Sequence, residues 1–147
     1  MHGRARLAAL AVVFAAGCAG TRPYVNDAPA NLAVRTELDR GVRATLGIHR
    51  VAADCSREYR GTVKLDRPVI KIAVPPDTPS YLVVSFDTSS FFGGARSVSA
   101  GVLLEPRPGR SYEISVAYRD SQYDVALREA GSGRELPRRD LVTCGAR

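Results

Sequence analysis

The chain has 147 residues, a formal net charge of +6, 45% hydrophobic residues and no tryptophan. That length builds one domain with its own core and leaves no room for two. The positive charge is mild and comes almost wholly from arginine, with Lys64 and Lys71 the only lysines, which argues against a nucleic-acid partner.

Arg4 and Arg6 precede an apolar run from Leu7 to Ala16, and Ala15, Ala16 and Gly17 lead directly to Cys18. The run is about half of what a bilayer-spanning helix needs, so it predicts a processed export signal over residues 1–17. Ala15-Ala16-Gly17-Cys18 resembles the lipobox of bacterial lipoproteins, with alanine at Ala15 where leucine is commoner. The resemblance implies cleavage before Cys18, a diacylglyceryl group on its thiol and a further acyl chain, such as palmitate, on the freed amine. Each buried methylene contributes about 0.8 kcal/mol, so two or three chains anchor stably where one does not. Ala19 stands where an aspartate retention signal would be, which implies an outer-membrane lipoprotein facing the periplasm. An ordinary secretory leader with an incidental Cys18 is the competing reading.

Ala19–Asn31 contains two prolines and no apolar periodicity, and with Cys18 it reads as a tether over residues 18–31. Extended, its thirteen residues reach at most about 45 Å. The domain is then expected over residues 32–147. Leu32, Val34, Thr36 and Leu38 form a first period-two run, and Val42, Ala44, Leu46 and Ile48 a second. Asp39-Arg40-Gly41 between them suits a hairpin. Further runs are centred on Tyr59–Leu65, Val69–Val74, Tyr81–Asp87, Val98–Leu104, Tyr112–Tyr118 and Tyr123–Leu127, punctuated by Pro75-Pro76 and Pro106-Arg107-Pro108-Gly109. Short alternating strands at this spacing predict an all-β, antiparallel sandwich of seven or eight strands. The immunoglobulin hallmark of a buried tryptophan is missing. The segment from Leu104 through Pro108-Gly109 to Tyr112-Glu113-Ile114 resembles the Pro-Gly hairpin of small bacterial lipoproteins and PEGA-like envelope β-domains, which implies an extracytoplasmic β-module with no known catalytic residues.

With Cys18 given to lipid by the leader's resemblance, Cys55 and Cys144 remain. An even pair in an exported chain predicts a disulfide, and the loop of about 90 residues that it closes is worth about 4–5 kcal/mol in the chain-entropy model. Two free thiols or a metal site are the alternatives, but zinc needs more ligands than the single mature-chain histidine, His49, can add.

Catalytic motifs are thin. Ser97-Val98-Ser99-Ala100-Gly101 resembles a nucleophile elbow but lacks its first glycine and the following helix. His49 falls on the polar side of its strand. Asp120 with Asp124, and Asp54 with Glu58, offer oxygen ligands for a cation, yet aspartate at such places commonly shapes turns. Gly131-Ser132-Gly133 lacks the lysine and helix of a phosphate loop. No cofactor, metal or catalytic set is therefore expected. The binding candidate is the loop Thr88–Arg96, where Phe91 and Phe92 stand beside Gly93 and Gly94. They either form a contact site or cap the open end of the sandwich. Arg134, Arg138 and Arg139 form a second candidate, for anionic lipid or wall polymers. The expectation is a non-catalytic, lipid-anchored envelope module with an envelope protein or polymer as partner; the alternative is an inhibitor that inserts loop 88–96 into a hydrolase.

Overall fold

A computed structural model describes residues 21–90, 94–139 and 141. Eight strands form: β1 (Leu32–Leu38), β2 (Val42–Val51), β3 (Arg57–Lys64), β4 (Val69–Ile72), β5 (Ser80–Ser90), β6 (Gly94–Leu104), β7 (Tyr112–Arg119) and β8 (Gln122–Glu129). They pair into two four-stranded sheets, β4-β1-β7-β8 and β3-β2-β5-β6, so the chain is the all-β sandwich that its alternation predicts. The inward positions are the apolar ones: Leu46 and Ile48 on β2, Leu82, Val84 and Phe86 on β5, Val102 and Leu104 on β6, and Ile114 and Val116 on β7 are buried. Phe86 is the largest fully buried side chain, and it stacks on Tyr118 and Tyr123 at ring separations of 5.5 and 5.6 Å. Truncating such a residue to alanine costs about 3–5 kcal/mol.

Three connections differ from expectation. The turn at Asp39-Arg40-Gly41 closes no hairpin, because β1 and β2 belong to different sheets, and β1 instead runs parallel to β7 from Leu32↔Tyr112 to Leu38↔Tyr118. Asp39 explains the departure. Its amide donates to the Tyr118 carbonyl and its carboxylate accepts from the Asp120 amide, so the chain is pinned to the β7–β8 turn as it leaves the sheet. The other five pairings are antiparallel. Pro106–Arg110, expected as a hairpin turn, carries the chain from β6 in one sheet to β7 in the other. Finally, most of the expected loop Thr88–Arg96 is ladder: β5 and β6 stay paired from Ser80↔Leu104 to Ser90↔Gly94. A true hairpin does form at Asp120-Ser121, where both residues have positive φ (50° and 64°), as a two-residue turn matched to strand twist requires.

A sandwich leaves four exposed strand edges, here β3 and β4 on one side and β6 and β8 on the other. Both sides are laced by chain ends. On the first, the stretch expected as a free tether is docked from Arg22 to Asn31. The Thr62 amide of β3 donates to the Arg22 carbonyl at 2.8 Å, and the Tyr24 amide donates to the Thr62 carbonyl at 3.0 Å. The Tyr24 hydroxyl then donates to the Ala73 carbonyl, beyond β4, and the Asn31 side chain both donates to and accepts from the Val74 backbone. Gly61 makes this approach feasible: it sits at φ 146°, and a Cβ there would lie 2.6 Å from the Tyr24 Cα.

On the second side, the chain after β8 crosses to β6. The Leu136 amide donates to the Leu127 carbonyl of β8, and the Leu103 amide of β6 donates to the Arg139 carbonyl. Leu136 packs on the main core, while Leu141 packs on a small outer cluster of Val51, Tyr81 and Leu103.

Candidate functional site

Of the residues singled out from sequence, Cys18, Cys144, Phe91, Phe92 and Gly93 lie outside the described residues. Gly94 opens β6 opposite Ser90. Cys55 is disulfide-bonded and occupies a tight turn at φ 64°, closed by its own amide on the Ala52 carbonyl and by the Ala52 amide on the Ser56 carbonyl. The same turn consumes Asp54, which accepts from the Ser56 amide; hydrogen bonds from Ser56 hold its carboxyl below the usual range. Glu58 pairs with Arg60 at 2.9 Å, so Asp54 and Glu58 are engaged separately. Asp120 and Asp124 likewise serve the β7–β8 turn and ladder. Among the described residues no cluster of three metal-ligating side chains occurs.

His49 lies on the outer face of its sheet against the Tyr59 ring, at 5.4 Å, and its cross-strand neighbours are Tyr59 and Tyr81. Partial burial, and then the Arg57 guanidinium, push its pKa down. Ser99 is on the same face but two rows further along, about 13 Å away by strand rise, and its hydroxyl is bonded to Ser85. The geometry therefore brings His49 together with aromatic rings and not with Ser97 or Ser99. Tyr81 lies over Gly101, which has no Cβ to obstruct it, and the Arg57 guanidinium stands over the same ring at 5.5 Å from its centroid.

The two laced sides each shelter a cleft at the end of the sandwich where β5 begins. The cleft beneath the N-terminal strap has a volume of about 530 Å³ and is lined by Arg22, Arg50 and Arg60 together with Pro23, Tyr24 and Pro75. No carboxylate lines it, and Arg22 and Arg50 make no ion pair among the described residues. Arg50 continues the inward series Ala44, Leu46 and Ile48, beyond the point where the facing sheet covers it, and its neighbour on β5 is the buried Ser80. Arg60 is the extra residue of a bulge between Ile48↔Gly61 and His49↔Tyr59. At the rim stands Val25, 75% exposed.

The cleft behind the C-terminal lacing is larger, about 730 Å³, and differs in charge. Glu129, almost wholly buried at its side chain, pairs with Arg110 at 3.2 Å and Arg134 at 3.5 Å, and Glu105 pairs with Arg139 at 3.7 Å. The basic C-terminal stretch is thus in large part neutralised within the fold.

Sequence reading missed Arg22, Arg50 and Arg60. The available signal was Arg50: a charge in register with three inward apolar residues marks the place where a strand outruns its partner sheet. The apolar series itself stops at Ile48, while the strand continues to Val51.

No protein-family model matches the chain, and no curated protein sequence matches it. Among solved structures, sea bream transthyretin in complex with thyroxine is similar at a TM-score of 0.48 and 16% identity, covering 69% of this chain and 97% of that one. A second structure of transthyretin from Sparus aurata gives a TM-score of 0.45 and 16% identity, covering 68% and 97%.

Proposed function

We propose that the protein is a lipid-anchored lipoprotein of the cell envelope, held through Cys18 in the outer membrane on its periplasmic side, and that its sandwich is a non-catalytic interaction module. The observation that supports this reading best is the position of the first docked residue. Arg22 is bonded to β3 only four residues after Cys18, so a lipid on that cysteine holds the domain within about 14 Å of its anchor. Lipid confinement raises local concentration, so a weak partner contact becomes effective. The Cys55 bond goes to Cys144 in this reading. Leu141, three residues before Cys144, packs on the cluster that contains Val51, at the end of the strand leading into the Cys55 turn, which supports this pairing. His49, held against Tyr59 and away from Ser97 and Ser99, agrees with a non-catalytic role.

Intact mass of the mature protein tests the anchor. A chain beginning at an acylated Cys18 is expected, with Cys18→Ser lost from the membrane fraction. A mature chain beginning elsewhere, without acyl mass, would overturn the reading. The inhibitor alternative draws support from the β5–β6 hairpin, whose connection carries Phe91 and Phe92. β5 runs about 33 Å from the strapped end, so Ser90 and Gly94, which flank those residues, lie at the far end from Arg50. Deleting both phenylalanines would then abolish hydrolase binding and leave the melting temperature unchanged.

A further inference from the structure

We propose that the cleft beneath the N-terminal strap is a phosphate site, and that its occupant is the headgroup of an anionic glycerophospholipid in the membrane that carries the anchor. This rests on the lipid-anchored reading for its membrane, and on the cleft itself for its chemistry.

The chemistry comes from three guanidiniums with no lining carboxylate among the described residues. Arg22, Arg50 and Arg60 converge on one cleft from the strap, from β2 and from the β3 bulge. Among the described residues, Arg60 pairs with Glu58, and Arg22 and Arg50 have no ion pair. Guanidinium forks match phosphate oxygens in pairs, which is why clustered arginines suit this anion better than lysines would. Arg50 is the informative member. A charge on an inward-facing position would be costly under a covering sheet, and here the sheet ends and the cleft opens instead.

The membrane comes from placement. The strap that roofs the cleft begins four residues after Cys18, so a lipidated chain presents this end of the sandwich to the bilayer. Its exposed apolar member, Val25, follows Pro23 and Tyr24 at the rim. An apolar rim beside a cationic floor fits the layered chemistry of a membrane interface, with acyl boundary next to phosphate. The other cleft, at the same end, offers a poorer match, because Glu129 and Glu105 pair with three of its four lining arginines and leave only Arg107.

The test uses the chain from residue 18 onward with Cys18→Ser, so that no lipid contributes; every contact described above draws on residues from 21 onward. Co-sedimentation is measured with vesicles of phosphatidylcholine alone and of phosphatidylcholine with phosphatidylglycerol. Binding is expected only with phosphatidylglycerol, and each of Arg22→Gln and Arg50→Gln should weaken it about fivefold, the triple variant with Arg60→Gln roughly a hundredfold. Arg40→Gln and Arg96→Gln, exposed arginines at the opposite end, should leave it unchanged at the same net charge. Equal loss in these controls, or no binding to anionic vesicles, would overturn the proposal. So would saturable binding of glycerol 3-phosphate without vesicle binding, which would make the occupant a free solute. Because this protein carries no acyl chain, the outcome is independent of the mass measurement on Cys18. Arg22 lies outside the strands, so its variant remains informative if Arg50→Gln lowers stability.

Discussion

The two sides of the sandwich solve the same problem with opposite electrostatics. On each, a chain end crosses between two exposed strand edges, and on each a cleft remains beneath the crossing. The C-terminal crossing brings Arg134 and Arg139 and finds carboxylates waiting: Glu129, which also holds Arg110 of the β6–β7 connection, takes Arg134, and Glu105 takes Arg139. The N-terminal strap adds Arg22 to Arg50 and Arg60 and finds none lining the cleft among the described residues. Charge that a fold neutralises internally serves its stability, and charge left over is available to a ligand. The contrast lies in the carboxylates, since both clefts are rich in arginine.

The two lacings should also break separately. Reducing the Cys55 disulfide has the largest expected effect, a loss of about 4 kcal/mol if it closes the long loop to Cys144. In native-state hydrogen exchange the Leu103 and Leu136 amides should speed up, while those of Tyr24 and Thr62 keep their protection. Parallel loss on both sides would show that the lacings form one cooperative unit. Gly61→Ala is the converse. It adds a Cβ 2.6 Å from the Tyr24 Cα at φ 146°, so the strap must shift or the strand must strain, at about 3 kcal/mol. Tyr24, Thr62 and Val74 should then exchange faster and Leu136 should not.

How much of this was legible depends on the range of the interaction. The strands follow from alternation, a local property, and most apolar positions from Leu32 to Leu127 fall inward where the period places them, while Tyr59 turns outward at the β3 bulge and Val98 and Tyr123 stay exposed. The parallel neighbour of β1 does not, because nothing within Leu32–Leu38 distinguishes a partner strand that begins 74 residues after it ends. Asp39 looks like a turn former in either case, and its bond to Asp120 becomes visible only in three dimensions. The strap was hidden for a related reason. Proline-bearing, aperiodic chain looks free until Gly61 supplies a place for Tyr24 to lie. For the candidate site, Cys18, Cys55 and Cys144 stand out as residue types, whereas three arginines among nineteen do not, and only the sheet overhang singles out Arg50.

A third carboxylate sharpens the comparison on the outer face of the other sheet. Glu113 on β7 is nearly buried between Arg35 of β1, at 2.7 Å, and Arg128 of β8. The hydrogen bond from Arg35, above all, holds its pKa below the usual glutamate range, with Arg128 adding to it. The sign follows from linkage: a depressed carboxyl stabilises the fold fully above its unfolded pKa, and that contribution is lost as pH falls through the folded value. Acid unfolding should therefore contain a Glu113 component that Glu113→Gln removes. At neutral pH the same variant should cost about 2 kcal/mol in urea denaturation, in line with hydrogen bonds between charged groups. A flat acid profile in wild type would show that Arg35 and Arg128 stay solvated beside it.

The smallest effect on stability belongs to the substitution that bears most directly on the contrast. Glu129→Gln leaves a hydrogen-bonding side chain in place but releases Arg110 and Arg134, whose guanidiniums are more than half exposed. The carboxylate is largely buried, but both guanidiniums are solvent-screened and stand off at 3.2 and 3.5 Å, longer than the Arg35 contact to Glu113, so a cost of about 1 kcal/mol is expected. The electrostatic effect should be larger, because one carboxylate now satisfies two arginines in a cleft at the same end of the molecule as the strap. If leftover guanidinium charge is what a phosphate recognises, Glu129→Gln should gain affinity for anionic vesicles by about fivefold, the worth of one added positive charge near such a surface. It should also keep that gain when Arg22 and Arg50 are replaced. A variant that gains nothing would mean that charge alone is insufficient, and that the apolar rim formed by Tyr24 and Val25 is what sets the two clefts apart.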